Sequence, residues 1–527
     1  MKTLNVIAAL LGLVMLAGCS QDWPMYRHNV LRSGGQLKAT ALSDPARVPS
    51  LAVRWTFSVP PSDTITGMNA GFRASPIVYK GRVYIGSGNG RMYALDVASG
   101  AVLWKYPAPP APPLRSQFTC NPSSFGIASS AAIAKIGGVD AVIFGAPDLS
   151  LGTGLGEGRL FALNAATGAE IWKSPVIARV SGLTWGSATE FHQQIGYSSP
   201  LVLGDRVYIG VADHCDNPIQ QGRILSVRLN DGTIDPAFTY CSTGSCGDTT
   251  RGGGVWSSVA GIGDGIYATS GNSNNNGPEP SPNHGLSMLR LNAVTGALVW
   301  KLQPVPYALD WDPDWSAGPN LMLTSCGTMA VSTMKDGWTH AMDANAGTRR
   351  WTFPTATIPF AAADGTVHGD SRFMRAGAAW GDVFITMAGG LTVRTNLTSG
   401  YRRLHALNVC ASSLDRIRWI IDVPNASGGT YSLGVPTVTR GVVYVGTDQG
   451  HLVAIADPSI YPSAGWRCSN TDVTAANCVA SGYTLVPQPA VLANIALSGR
   501  MVYNEIAIAN GRLFAATENG NVYMLSP

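Results

Sequence analysis

Residues 81–105 read GRVYIGSGNGRMYALDVASGAVLWK. Alternating Val, Tyr and Ile at the start give one short strand with a period of two. The Gly-Asn-Gly that follows permits positive φ and reverses the chain. Met-Tyr-Ala-Leu-Asp is a second strand, Ala-Ser-Gly a second tight turn, and Ala-Val-Leu-Trp-Lys a third strand ending at Trp104. The same pattern recurs at 158–173 (GRLFALNAATGAEIWK) and at 286–301 (LSMLRLNAVTGALVWK). A weaker copy occupies 337–351, and degenerate copies run through 223–238 and 404–419. The last two copies, 441–455 and 511–525, keep the first two strands. Self-similarity at this spacing signals a repeat architecture. A four-stranded sheet cannot bury both its faces alone, whereas sheets stacked radially can, leaving only short edges. The expectation is an all-β chain forming one β-propeller over 51–527, with eight blades, or alternatively seven.

The chain ends predict how such a ring closes. The final copy stops after Tyr523-Met524-Leu525 without a Trp strand. That strand is present at the other end, as Val53-Arg54-Trp55-Thr56-Phe57. Pairing the two ties the termini together and removes the open edge.

Composition narrows the function classes. Thirty-six basic and 32 acidic residues give a formal charge of +4. With no Lys/Arg cluster, nucleic acid is not an expected partner. Residues 1–18 read as a signal peptide: Lys2 is the basic n-region, and Val6 to Leu16 is an apolar stretch too short to span a bilayer comfortably. Leu16-Ala17-Gly18-Cys19 resembles a bacterial lipobox, which implies cleavage before Cys19 and lipidation of its thiol. Ser20 lacks the acidic character that commonly marks inner-membrane retention. The expected location is therefore the periplasmic face of the outer membrane, or the cell surface, with the lipid as the only membrane contact. Residues 19–50 are then a lead-in to the ring. Eight cysteines remain, an even number that suggests disulfides in an oxidising compartment. Cys468 with Cys478, and Cys241 with Cys246 or Cys215, are the pairs favoured by proximity. No Cys-x-x-Cys-His is present, so covalent c-type haem is excluded. His192, His214, His284 and His340 lack metal-ligand spacing and read as structural or surface residues.

The Ala-x-Asp/Asn-x-x-Thr-Gly-x-x-x-Trp element resembles the tryptophan-docking motif of pyrroloquinoline-quinone (PQQ) propellers, in which the indole packs between adjacent blades. The lead-in at 22–35 also resembles that family. Gly253-Gly254-Val255-Trp256-Ser257-Ser258, then Tyr267 to Asn272, then Asp310 to Pro319, then Met334-Lys335-Asp336-Gly337 resemble, in that order, PQQ alcohol dehydrogenases. The polyvinyl-alcohol dehydrogenase branch is the nearest. The resemblance implies these roles: Trp256 as the floor on which the quinone stacks, Lys335 as the cation at the quinone oxygens, and Asp314 as the base taking the alcohol proton. Asp216, Asn272 and Asp314 would ligate the metal, usually Ca²⁺. Such ligands suit a hard cation that prefers oxygen. Asp213 competes with Asp216 for its place, and Asp312 with Asp314. Two departures stand out. The adjacent cysteine pair of many such enzymes is absent, and no clear Arg for the quinone carboxylates appears, Arg115 being only a loose match. The expected function is a periplasmic quinoprotein that oxidises an alcohol or polyol and passes electrons to a separate cytochrome or quinone. The alternative is a non-enzymatic propeller lipoprotein that binds partner proteins, as in outer-membrane assembly factors.

Overall fold

The computed structural model describes residues 21–527 apart from 65–69, 116–125, 149–156, 179–194, 213–220, 245, 247–251, 273–283, 305–313, 316, 336, 355–359, 362–366, 369–375, 389–402, 412–415, 425–432, 470–474 and 481–483. The chain forms eight four-stranded antiparallel sheets. In chain order they cover 77–106, 132–173, 201–241, 260–302, 320–354, 378–422, 437–496, and 507–526 with 52–58. We call these blades 1 to 8 and their strands a (innermost) to d (outermost). The eight-bladed expectation is met. So is the closure: strand Ala52–Ser58 pairs with Asn521–Ser526 and completes blade 8 as its strand d.

Sequence explains the blade geometry locally. In blade 1, Tyr84, Ala94 and Trp104 lie opposite one another across strands b, c and d. A register shift follows at Ala94/Leu95. The same shift recurs in blades 2, 4, 5, 6 and 7. A bulge at this point re-aims the side chains of strand d. The indoles then dock as the motif implied. Trp55, Trp104, Trp172, Trp300 and Trp351 each donate Nε1–H to a carbonyl of the following blade: Val97, Ala165, Leu229, Ala344 and Val409, at 2.8–3.1 Å. Glycine in the receiving turn makes the fit possible. Gly168 has φ +73°, and a Cβ there would lie 2.7 Å from the Trp104 indole. Gly168→Ala is therefore expected to cost about 1–3 kcal/mol, from overpacking plus a left-handed backbone. Thermal denaturation of the variant measures this.

Between blades 7 and 8 no indole of the described residues docks. Segment 39–51 fills the gap instead. Leu42 and Val48 are fully buried, and the Tyr444 hydroxyl donates to Leu42 O at 2.6 Å. Upstream of it, residues 21–36 thread the centre of the ring. Gln21 O accepts from Asn510 of blade 8, Trp23 bridges Val78 of blade 1, and Pro24 O accepts from Ile133 of blade 2. Val30 O, Leu31 O and Ser33 O accept from Gly261, Leu321 and Ala379 of blades 4, 5 and 6, and Gly35 bridges Val438 of blade 7. Arg32 supplies the missing blade 3 contact by donating to Ser199 O and Pro200 O. The lead-in is thus the hub of the wheel rather than an appendage.

Strand direction gives the ring two ends. Every strand a starts at one end and runs to the other, where the a–b and c–d turns lie. The hub meets strands a at their middle or first residues, as at Val78, Ile133, Gly261, Leu321 and Ala379, and meets blade 3 just ahead of its strand, at Ser199 and Pro200. Among the described residues no helix is long and apolar enough to cross a membrane. Among the described residues three disulfides are present. Two, Cys241–Cys246 and Cys468–Cys478, join residues near in sequence, and the third, Cys326–Cys410, links the a–b turn of blade 5 to the c–d turn of blade 6. Cys120 and Cys215 lie outside the described residues.

The core also holds a titratable probe. His405, on strand c of blade 6, is buried against Phe353 with ring centroids 5.5 Å apart. Burial, reinforced by the charge of Arg403, lowers its pKa from 6.5 to about 3. Below pH 6.5 the unfolded chain takes up a proton that the folded chain refuses. Stability is full above 6.5 and falls as pH drops toward 3, by about 2 kcal/mol at pH 5 from this residue. His405→Leu is expected to flatten the pH dependence of denaturation between 6.5 and 5 by that amount.

Candidate functional site

The position four residues ahead of strand a recurs in a telling way. It is Arg73 in blade 1, Tyr197 in blade 3, Trp256 in blade 4 and Tyr503 in blade 8, ahead of Ile77, Leu201, Ala260 and Ala507. Two residues further on stand Ser75, Ser199, Ser258 and Glu505. These hydrogen-bond in a chain around the axis: Glu505 N–H donates to Ser75 Oγ, Ser75 N–H to Ser130, Ser130 N–H to Ser199 and Ser199 N–H to Ser258, at 2.8–3.0 Å. Each such bond fixes one blade's strand a against the next. The residues four ahead of the strands are carried by these linked segments toward the axis, at the end opposite the a–b turns.

There they meet. Tyr197 and Tyr503 stack with centroids 5.6 Å apart and planes 11° apart. Arg73 donates to the Tyr197 hydroxyl at 3.0 Å and lies 5.4 Å over the Tyr503 ring. Tyr197 meets Trp256 edge-on, at 6.3 Å and 70°. Trp256 Nε1–H donates to Asp314 Oδ2 at 2.8 Å. Lys335 pairs with Asp314 Oδ1 and holds its ammonium 5.6 Å over the Trp256 ring. The pairing is buried: the side chains of Lys335 and Asp314 are 12% and 4% exposed, so solvent screens it little. A backbone bond, Lys335 N–H to Asp314 O at 3.1 Å, holds the two residues in register.

Asn272 follows strand b of blade 4 and is buried. Its carbonyl accepts from Gly253 N–H, and Gly271 N–H donates to Gly254 O, each at 2.7 Å. These two bonds clip residues 271–272 against the segment bearing Trp256. Glycine at 271 lets these segments pack closely: a Cβ there would lie 3.0 Å from Gly254 O, 3.4 Å from Trp256 Cδ1 and 3.5 Å from Asp314 Oδ2. Three of the expected residues, Trp256, Asp314 and Lys335, therefore touch one another, and Asn272 is clipped beside them. Asp216, with Asp213 and Asp312, lies outside the described residues. Among the described residues no group of three or more His, Cys, Asp or Glu could hold a metal. His284 packs against Tyr240, and His340 is buried beside Trp315, while His192 and His214 lie outside the described residues.

Arg73, Tyr197 and Tyr503 escaped the sequence reading. Their signal was phase: aligning the copies on strand a, rather than on the Trp strand, puts all three in the column of Trp256.

Chemically, the cluster offers a flat indole, one cation held over it, one carboxylate fixed by two donors, a nearby amide, and an arginine braced by two phenol rings. Residues 23–371 match the family described as glucose/ethanol/alcohol dehydrogenase, beta-propeller domain, of PQQ type. No curated protein matches the sequence at a significant level. Among solved structures, a europium-containing methanol dehydrogenase is similar at 14% identity and TM-score 0.61, covering 96% of this chain and 98% of that one. The quinohemoprotein alcohol dehydrogenase from Comamonas testosteroni is similar at 17% identity and TM-score 0.64, over 96% of this chain and 80% of that one. BamB from Moraxella catarrhalis, at 13% identity and TM-score 0.51, covers 90% of this chain and 100% of that one. Identities this low speak for the fold alone, but the family match extends over most of the chain, from the hub through blade 5 and into the segment beyond it, and with it the chain belongs to the PQQ-type glucose/ethanol/alcohol dehydrogenase β-propeller family.

Proposed function

We propose that this protein is a PQQ-dependent dehydrogenase of alcohols or polyols, exported as a lipoprotein and handing electrons to a separate acceptor. The observation that carries the reading is the Trp256–Asp314–Lys335 contact set on the ring axis. A ring used only as a scaffold has no need to bury a lysine–carboxylate pair against an axial indole. The donor set fits the cofactor. An indole suits a planar quinone, and amide plus carboxylate oxygens suit a hard cation.

In this reading Trp256 binds the quinone by stacking, and Lys335 orients it by hydrogen bonding to its oxygens. Asn272 and Asp314, with Asp216, would hold the cation, expected to be Ca²⁺. When bound, PQQ with its cation supplies the polarised carbonyl that accepts the hydrogen and electrons of the alcohol. Asp314 takes the hydroxyl proton at a carboxylate oxygen. Trp256 and Lys335 each engage one of its oxygens and hold the carboxylate at the indole. The stacked Tyr197–Tyr503 pair stands beside the indole, with Tyr197 meeting it edge-on.

The test is a titration of purified protein with PQQ and Ca²⁺, read by tryptophan fluorescence and then by dye reduction across primary, secondary and polymeric alcohols. Saturable quenching that weakens in Trp256→Leu, with alcohol-dependent dye reduction, is the expected result. Absence of both overturns the enzyme. The similarity to BamB would then favour the second reading, a scaffold that binds protein partners.

A further inference from the structure

Lys335 is carried by the turn between strands b and c of blade 5, Gly327–Thr333 and Trp338–Asp343. The turn is pinned. Met334 N–H donates to Trp338 O at 3.0 Å and Gly337 N–H to Met334 O at 3.1 Å, with Gly337 at φ +87°. Met334 is fully buried, and Lys335 N–H is itself held by Asp314 O. The backbone at 335 is therefore fixed, and the part able to move is the flexible stem with its ammonium. That ammonium meets two partners: the Asp314 carboxylate at Oδ1 and the Trp256 ring.

Asp314 is thus supplied with a positive charge by the chain itself. Trp256 Nε1–H holds the other oxygen, Oδ2, so each carboxylate oxygen has a donor. The candidate site asks the same carboxylate to ligate a hard divalent cation. A cation arriving at Asp314 would stand close to the ammonium, and both side chains are nearly buried, where charge is poorly screened. Like charges held that close repel, and an ammonium left buried without a counter-charge is costly. The cation gains the full carboxylate only when Lys335 can place its charge elsewhere. The quinone oxygens offer that place, and the quinone brings carboxylates of its own to the site.

We infer that Lys335 competes with the cation for Asp314 and gives the carboxylate up when the quinone binds, so that cation affinity is coupled to the cofactor through the movement of one ammonium. The coupling rests on the quinoprotein reading; the competition needs only the pair and a cation that Asp314 can ligate. Lys335 is a positioning residue in this step, because it acts on the cation through Asp314. Coupling of this kind is reciprocal: the quinone tightens the cation by the same factor as the cation tightens the quinone. Charge, not size, is what matters at 335. Arginine there keeps the charge, whereas glutamine keeps a hydrogen-bond donor without it.

Calorimetric titration of Ca²⁺ into purified full-length protein, first without PQQ and then with PQQ saturating, is the test. Without PQQ, Lys335→Gln and Lys335→Met should bind Ca²⁺ about tenfold more tightly than wild type, or better. Lys335→Arg should stay within about threefold of wild type. Adding Asp314→Asn should erase the gain, because the released carboxylate is what the cation takes. With PQQ bound, wild type should tighten on Ca²⁺ by a larger factor than Lys335→Gln, whose carboxylate is already released. Equal Ca²⁺ affinity without PQQ in wild type and both uncharged variants overturns the proposal. So does a gain that survives Asp314→Asn, or the absence of Ca²⁺ binding in every variant. If Lys335→Met is too unstable to titrate, Lys335→Gln carries the comparison. PQQ that binds none of these proteins retires the quinoprotein reading and the coupling with it, while the titrations without PQQ still decide the competition at Asp314.

Discussion

Asp314→Asn is expected to lower dye-linked alcohol turnover by about 10²–10⁴-fold, the range a positioned general base contributes, while leaving PQQ binding within a few-fold. The geometry separates the two effects. An asparagine keeps a carbonyl oxygen to accept from Trp256 Nε1, now 2.8 Å from Asp314 Oδ2, and can still offer that atom type to a cation. What it cannot do is take up a proton. The side effect to control is Lys335, whose nearly buried ammonium loses its counter-charge. A buried charge stripped of its partner costs several kcal/mol. Lys335→Met in the Asp314→Asn background should therefore restore melting temperature without restoring turnover. Measured kcat for Asp314→Asn within tenfold of wild type, with cofactor bound, would remove Asp314 from the role of base.

Much of this fold was legible because its signal is repeated. One Asp/Asn-x-x-Thr-Gly-x-x-x-Trp copy is a turn and a strand; several in series define a phase, and the missing Trp strand after Leu525 points to the spare one at Trp55. The indole positions followed because their chemistry is local: a bulge beside the Trp strand and, for Trp55, Trp104, Trp172 and Trp300, a glycine in the next blade's turn. The hub was not legible. Residues 21–36 have neither period two nor period 3.6, because they do not pair with themselves. Their partners are the a–b turn of blade 8 and the strands a of six other blades, met in order around the axis, with Arg32 supplying blade 3. Arg27 and Arg32 also use left-handed backbone, at φ +57° and +58°, which nothing in the sequence announces. The site was half legible for the same reason. Trp256, Asn272, Asp314 and Lys335 sit in a stretch with a specific resemblance, whereas Arg73, Tyr197 and Tyr503 are contributed one per blade from segments with no shared motif beyond their phase. The Cys326–Cys410 disulfide, 84 residues apart in sequence, is likewise a product of blade order rather than of spacing.

The hub makes a second large effect predictable, on stability rather than turnover. Arg27 and Glu505 form an ion pair at 3.2 Å with both side chains fully buried. Arg27 reaches three blades at once: it donates to Pro436 O of the blade 7 approach at 2.8 Å, to Gly377 O of the blade 6 approach, and to Glu505 of blade 8. Glu505 in turn accepts from Trp23 Nε1 at 3.1 Å and from Arg27 N at 2.7 Å. Burial pushes the Glu505 carboxyl above its usual range, and the Arg27 charge opposes that push. Arg27→Met removes the opposing charge and leaves a buried carboxylate with carbonyls that have lost their donor. The expected loss is about 3–5 kcal/mol. At about 2 cal/mol/K of unfolding entropy per residue, a chain of this size should melt about 3–5 °C lower. Adding Glu505→Gln to Arg27→Met should recover part of the loss, because an amide keeps an acceptor for Trp23 without a charge to bury. Glu505→Gln alone leaves the arginine unpaired and should destabilise. A cycle in which both single changes cost under 1 kcal/mol would mean that water, not the pair, satisfies the centre of the ring.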